Sequence, residues 1–349
     1  FGDNAHIDLE WGGQTPLQGQ ASISGAPSGL IATLLGLPSG EAFSASLAAN
    51  GSPANWDVQV NASADSASIL SLNASRADGA FLGEGRIDLA SFGRLQMLRD
   101  RIGDDVECRG ELAADRRAVG RLVSSNGQIE FDGRALETDQ GLTFDQLTIT
   151  ADGLDMPAIS GVSELSLPSL TYAGDLTWLD NRLSLIGRFN VPQVSYGDYA
   201  ADTFVSSGSY QVASESIEIA TEFAVNRLEG LPERIDSAVD DRIQGSIDAR
   251  YLIADERLDV SVLELNSGEH RIDLAGTRSS DGTLDIAGSF ALAAVSVLEQ
   301  ASGSWTVQGR PSDGLLASLQ GAVSPAPSLP ELATLIGPRA DIKVQIRSA

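Results

Sequence analysis

"HRIDLAGTRSSDGTLDIAGSFAL", residues 270–292, is the stretch that decides the fold. Ile272 and Leu274 alternate with polar residues, Asp281-Gly282 follows, and Leu284 and Ile286 alternate again. Alternation with period two puts every second side chain on one side of a strand. Asp-Gly accepts the positive φ that a hairpin turn needs. Two antiparallel strands are predicted, apolar on one side.

The same grammar runs outward in both directions. "SILSLNAS" places Ile69 or Leu70, with Leu72, in a strand, and "GRIDLAS" sets Ile87 and Leu89 on one side of another. "LTFDQLTITADG" carries Leu142, Phe144, Leu147 and Ile149 in a strand expected to change side near Asp145-Gln146, as a bulge would make it do. Leu183 and Leu185, Ile217 and Ile219, and Leu258, Val260 and Val262 follow the same rule.

Short helical phrases interrupt the strands. "SFGRLQMLRDRI" spaces Phe92, Leu95, Leu98 and Ile102 at three and four, one stripe of a helix. Leu231, Ile235, Val239 and Ile243 form a similar stripe at steps of four. Two further amphipathic helices are expected where Ala32-Thr33-Leu34-Leu35-Gly36 returns as Ala333-Thr334-Leu335-Ile336-Gly337. A second echo links "DGAFLGEGRIDLASF" (78–92) to "DGTLDIAGSFALAAV" (281–295), each leading into a helix-like stretch and a fresh strand. Together the echoes indicate a degenerate repeat without fixed period.

Composition narrows the functions. With 48 Asp+Glu against 23 Lys+Arg and a formal charge of −25, the surface would repel a phosphate backbone, so nucleic acid is excluded as a partner. Cys108 is the only cysteine, which rules out an intrachain disulfide and a thiolate metal cluster. His6 and His270 lack metal-ligand spacing, and no calcium loop, P-loop or G-x-S-x-G elbow occurs. No catalytic residue, metal or cofactor is expected. Aromatics are 5% of the chain, so Leu, Ile, Val and Ala supply the apolar side.

The predicted fold is all-β: an elongated antiparallel β-sheet folded lengthwise into a trough, with degenerate repeats and a few short amphipathic helices. Residues 1–349 read as one continuous repetitive segment, with a possible subdivision into 1–153 and 154–349. An apolar side that long must be covered, closed or used. If used, its aliphatic lining suits acyl chains. The expected lining is Leu70, Leu72, Ile87, Leu89, Leu147, Ile149, Leu183, Leu185, Ile217, Ile219, Val260, Val262, Ile272, Leu274, Leu284 and Ile286. Two rivals are an exported structural or adhesive β-repeat with a sealed core, and a β-helix carbohydrate enzyme. The latter needs a carboxylate cluster on one strand face, which the sequence does not single out.

"GLIATLLGLPSGEAFSASLAANGSPANWDVQVNASAD" (29–65), "GEGRIDLASFGRLQMLRDRIGDDVECRGELAAD" (83–115) and the run from Leu231 to Leu292 together resemble the TamB branch of the AsmA-like proteins of Gram-negative envelopes. The similarity is loose in wording and spread over most of the chain. It implies a periplasmic β-taco held by an N-terminal helix in the inner membrane. It also implies phospholipid traffic toward the outer membrane, and outer-membrane protein assembly beside a TamA-like barrel. The anchor and the barrel-contacting segment are not recognisable here, and the chain begins at Phe1. The resemblance therefore places both in parts outside this stretch.

Overall fold

The computed structural model describes every residue except 1, 13–14, 28, 31–32, 34–40, 93–94, 139–140, 158–162, 232–238, 296–297, 329 and 348–349. The protein is all-β and antiparallel, as expected. It forms two compact units, Phe1–Glu137 with Phe144–Tyr172, and Thr138–Thr143 with Ala173–Ala349.

Unit 1 holds β1 (Asn4–Gly12), β2 (Thr15–Gly25), β3 (Phe43–Gly51), β4 (Trp56–Ala64), β5 (Ala67–Ala77), β6 (Ala80–Asp88), β7 (Asp105–Leu112) and β8 (Arg117–Ser124). It also holds most of β9 (Gly127–Thr138) and β10 (Gly141–Asp152), then β11 (Leu165–Ser166). From β1 to β9 each strand pairs antiparallel with its sequence neighbour. β12 (Ser169–Leu179) crosses the division.

Unit 2 holds β13 (Arg182–Tyr196), β14 (Tyr199–Val212), β15 (Ser216–Glu229), β16 (Arg242–Leu252), β17 (Arg257–Ser267), β18 (His270–Arg278), β19 (Leu284–Val295), β20 (Leu298–Arg310), β21 (Gly314–Pro325) and β22 (Ala340–Arg347). These too pair in sequence order.

The connections are asymmetric. In unit 1 the long ones, 26–42, 89–104 and 153–164, all leave from one margin of the sheet, with four strands between successive ones. The opposite margin turns through 52–55, 78–79 and 113–116. In unit 2 the long connections 230–241 and 326–339 likewise share a margin. Among the described residues two of the four expected helices are present, α1 at Gln96–Ile102 and α2 at Pro330–Ile336, whereas Leu231 and Val239 of the 231–243 stripe are not helical. Of the helix expected around Ala32, Leu30 and Thr33 are helical and the remainder lies outside the described residues. Ile235 also lies outside them. Ile243, assigned above to the same helical stripe, belongs to β16 and pairs with Val225.

One cluster of buried side chains in unit 1 lies at the helical margin, while Ala49, Ala118, Ala135 and Leu147 are buried away from it. Phe43, Ala62, Ala64 and Ile69 form one cluster, against which Phe92 of the 89–104 connection packs. Ile69 is 1% exposed because it is the extra residue of a bulge between the β4 and β5 partners of Ala62 and Ser63. In unit 2 the buried hydrophobic side chains among the described residues are Val191, Ala201, Ala249 and Ala301, none larger than valine. The accessible surface of the chain is 21368 Å². Two independent compact proteins of half its mass would expose roughly 16,000 Å² together. The sheets are single layers, not layers closed over a core of their own.

Candidate functional site

Cross-strand partners share a side of the sheet, so the registers sort every residue of the ladders. In unit 1 one side carries Ala45, Leu47, Ala49, Val58, Val60 and Ala62, then Leu70, Leu72, Ile87, Val106, Leu112 and Leu122. The other carries Ser44, Ser46, Asn61, Ser71, Asn73, Glu84, Arg86, Glu107, Arg109, Arg121, Glu130 and Asp132. Unit 2 repeats this with Leu183, Leu185, Ile217, Ile219, Ile247, Val260, Leu263, Ile272, Leu274, Leu284, Ile286, Val307 and Leu319 on the apolar side. These side chains are mostly half-buried. Leu72 keeps 40% and Ile272 38% of its surface in contact with solvent.

The registers put the expected lining on the apolar side of its unit except at Val262, Leu89, Leu147 and Ile149, and Leu147 is buried at 3% exposure. Val262 is on the polar side: a bulge at Ser261 adds a residue to β17, so Val260 faces Ala249 while Val262 faces Asp248. Leu263 takes the apolar position opposite Leu274. Leu89 lines nothing; the strand ends at Asp88, and Leu89 is sealed at the start of a 3-10 turn, 2% exposed. Asp88 causes the break. Its carboxylate accepts from the Ala90 amide at 3.0 Å and the Ser91 hydroxyl at 2.6 Å, an N-cap that competes with strand continuation. In β10, Gln146 has φ +52, the expected change of side, and Leu147 beyond it is buried against Gly133.

Four rings on the apolar side lie over glycine. Phe131, Phe223, Trp305 and Phe290 each sit opposite a glycine, respectively Gly120, Gly245, Gly288 and Gly303. A Cβ on Gly245 would come within 2.6 Å of the Phe223 ring, and one on Gly303 within 3.0 Å of Phe290. The missing side chain lets the ring cover backbone, which keeps the lining low.

Three hydroxyls on the apolar side of unit 2 form one chain. Thr221 donates to the Glu222 carbonyl at 3.1 Å, so Tyr210 must donate to Thr221 (2.9 Å) and Ser206 to Tyr210 (2.6 Å). That chain leaves no proton for a ligand. Edge-on packing of Phe189 at 4.8 Å fixes the Tyr210 ring.

The polar side holds shallow depressions between long side chains. One of about 380 Å³ is bordered by Arg109, Arg121, Glu130, Asp132 and Thr148, and one of about 350 Å³ by Asn73, Glu84, Arg86 and Glu107. Arg117 grips Asp132 through two hydrogen bonds of 3.0 and 2.6 Å, and holds that carboxyl below its ordinary range. These are solvated ion pairs on a flat surface. Among the described residues no three His, Cys, Asp or Glu side chains converge as a metal site would require.

Two side chains on the apolar side escaped the sequence reading. Across β1–β8 its one charged residue is Arg76, opposite Trp56 and Phe81. Across β16–β21 it is Arg278, opposite Leu258 and Leu284. Counting by twos from Leu72 reaches Arg76, and from Leu274 reaches Arg278.

Comparison with protein-family models, curated proteins and solved structures gives no match.

Proposed function

We propose that this chain is a non-enzymatic segment of a cell-envelope protein. Its apolar side forms a groove for phospholipid acyl chains passing between the inner and outer membranes, and it supports outer-membrane protein assembly. One observation carries the reading: in each unit an aliphatic surface continues from strand to strand and stays half-exposed. Transfer of hydrocarbon into water costs about 0.8 kcal/mol per methylene, so a 16-carbon tail meets a barrier of roughly 12 kcal/mol. A surface of Leu, Ile and Val removes much of it without a catalytic group or cofactor. The resemblance of residues 29–65, 83–115 and 231–292 to the TamB branch supplies the two membranes. A TamA-like barrel would be met through other parts of that protein.

The test is extraction and mass spectrometry of lipids that co-purify with the chain from an envelope fraction. Phospholipid in stoichiometric amount is expected, reduced by Leu72→Asp and Val260→Asp, which put charge on half-exposed positions. A lipid-free chain whose Asp variants retain envelope function would favour the structural β-repeat instead.

A further inference from the structure

We infer that Arg76 in unit 1 and Arg278 in unit 2 each bind the phosphate group of a separate lipid, holding its head at the hairpin margin of that unit while its chains lie along the unit's apolar side. This rests on the groove reading and deepens it.

Arg76 sits in the last rows of β5, just before the Asp78-Gly79 turn, at the margin opposite the long connections. Its guanidinium carbon lies 5.0 Å from the centre of the Phe81 ring, and one terminal nitrogen donates to the Pro53 carbonyl at 3.2 Å. Nε is buried without a partner. No carboxylate pairs with it among the described residues, although the chain carries 48 acidic residues. A guanidinium committed only to a ring and a neutral carbonyl keeps its full charge and part of its donor fork. Phosphate oxygens match that fork in pairs.

Unit 2 repeats the placement independently. Arg278 ends β18 just before the Asp281-Gly282 turn, on the apolar side, exposed and without a hydrogen bond or ion pair among the described residues. Arg271 and Arg257, on the polar side of the same strands, are both paired with carboxylates. The two arginines therefore precede the two Asp-Gly turns that open the 78–92 and 281–295 echo. A hydrocarbon surface with a bare cation at one margin has the polarity of a phospholipid. From Arg76 to Ile69 the strand runs roughly 23 Å at about 3.3 Å per residue, and the buried cluster closes that far end.

The experiment loads the whole chain with dioleoylphosphatidylglycerol or with dioleoylglycerol, which lacks phosphate, and measures retained lipid by mass spectrometry after gel filtration. The wild type should retain more of the phospholipid. R76Q/R278Q should lose most of that excess while retaining dioleoylglycerol as before, and R76K/R278K should keep part of it. R278Q alone, at an exposed side chain with no hydrogen bond or ion pair among the described residues, should show the same direction if the double variant folds poorly. Equal phospholipid retention by wild type and variants overturns the anchor and leaves the groove intact. So does saturable binding of inorganic phosphate without preference for the phospholipid, an adventitious ion only. A wild type that retains neither lipid overturns both.

Discussion

Trp305 lies across the β19–β20 ladder from Gly288, its ring 2.8 Å from where a Cβ on that glycine would stand. Gly288→Val would lift the indole off the backbone and crowd its neighbours, at a cost of about 1–3 kcal/mol. Urea unfolding should report that loss, and Trp305 emission, read with Trp11, Trp56 and Trp178 replaced by Phe, should move to the red. Unchanged emission would mean that the ring does not depend on the glycine.

Burial differs sharply between neighbours in β5. Ile69→Ala removes a side chain 1% exposed at the centre of the helical-margin cluster and should destabilise by about 2–5 kcal/mol. Leu72→Ala, at a side chain 40% exposed, should cost well under half as much. Similar losses at both sites in denaturant titrations would show that something covers the apolar side.

Cys108 offers a native probe. It is exposed, opposite Gly85 and Leu122 on the apolar side. Bound phospholipid should slow its alkylation by a maleimide severalfold, and delipidation should restore the rate. A rate indifferent to lipid would count against the groove in unit 1.

Asp132 gives a prediction in pH. Its folded-state carboxyl is held down mainly by the Arg117 hydrogen bond, whereas an unfolded aspartate titrates near ~3.9. The contribution is therefore complete above the unfolded value and is lost as pH falls through the folded one. Asp132→Asn should flatten the acid limb of stability below about pH 4 relative to wild type. At pH 7 the effect should be small, because both partners are exposed. A wild-type acid limb in the variant would remove Asp132 from it.

The strands were legible because period two was almost unbroken around Ile272, Leu274, Leu284 and Ile286, and the Asp281-Gly282 hairpin forms where its turn chemistry put it. The change of side at Gln146 was legible too, since Phe144 and Leu147 cannot share a side without an extra residue. Ser261 hid the same device behind an apparently regular Leu258-Val260-Val262, so Val262 was misplaced. Leu89 was misplaced because its alternation with Ile87 outweighed Asp88 and Ser91, a turn signal three residues apart. Ile243 continued a helical spacing only by coincidence, since strand pairing with Val225 set its conformation. Register, which comes from partners and not from the strand itself, was needed to expose Arg76 and Arg278.

Pairing between sequence neighbours has a consequence for biosynthesis. Contacts of short sequence separation carry little loop-closure entropy. Each hairpin can therefore dock on the one before it as soon as it is released, and no greasy segment has to wait for a remote mate. Such a chain can mature in the order it is made, and its reach can grow by whole blocks of strands without redesigning those already in place.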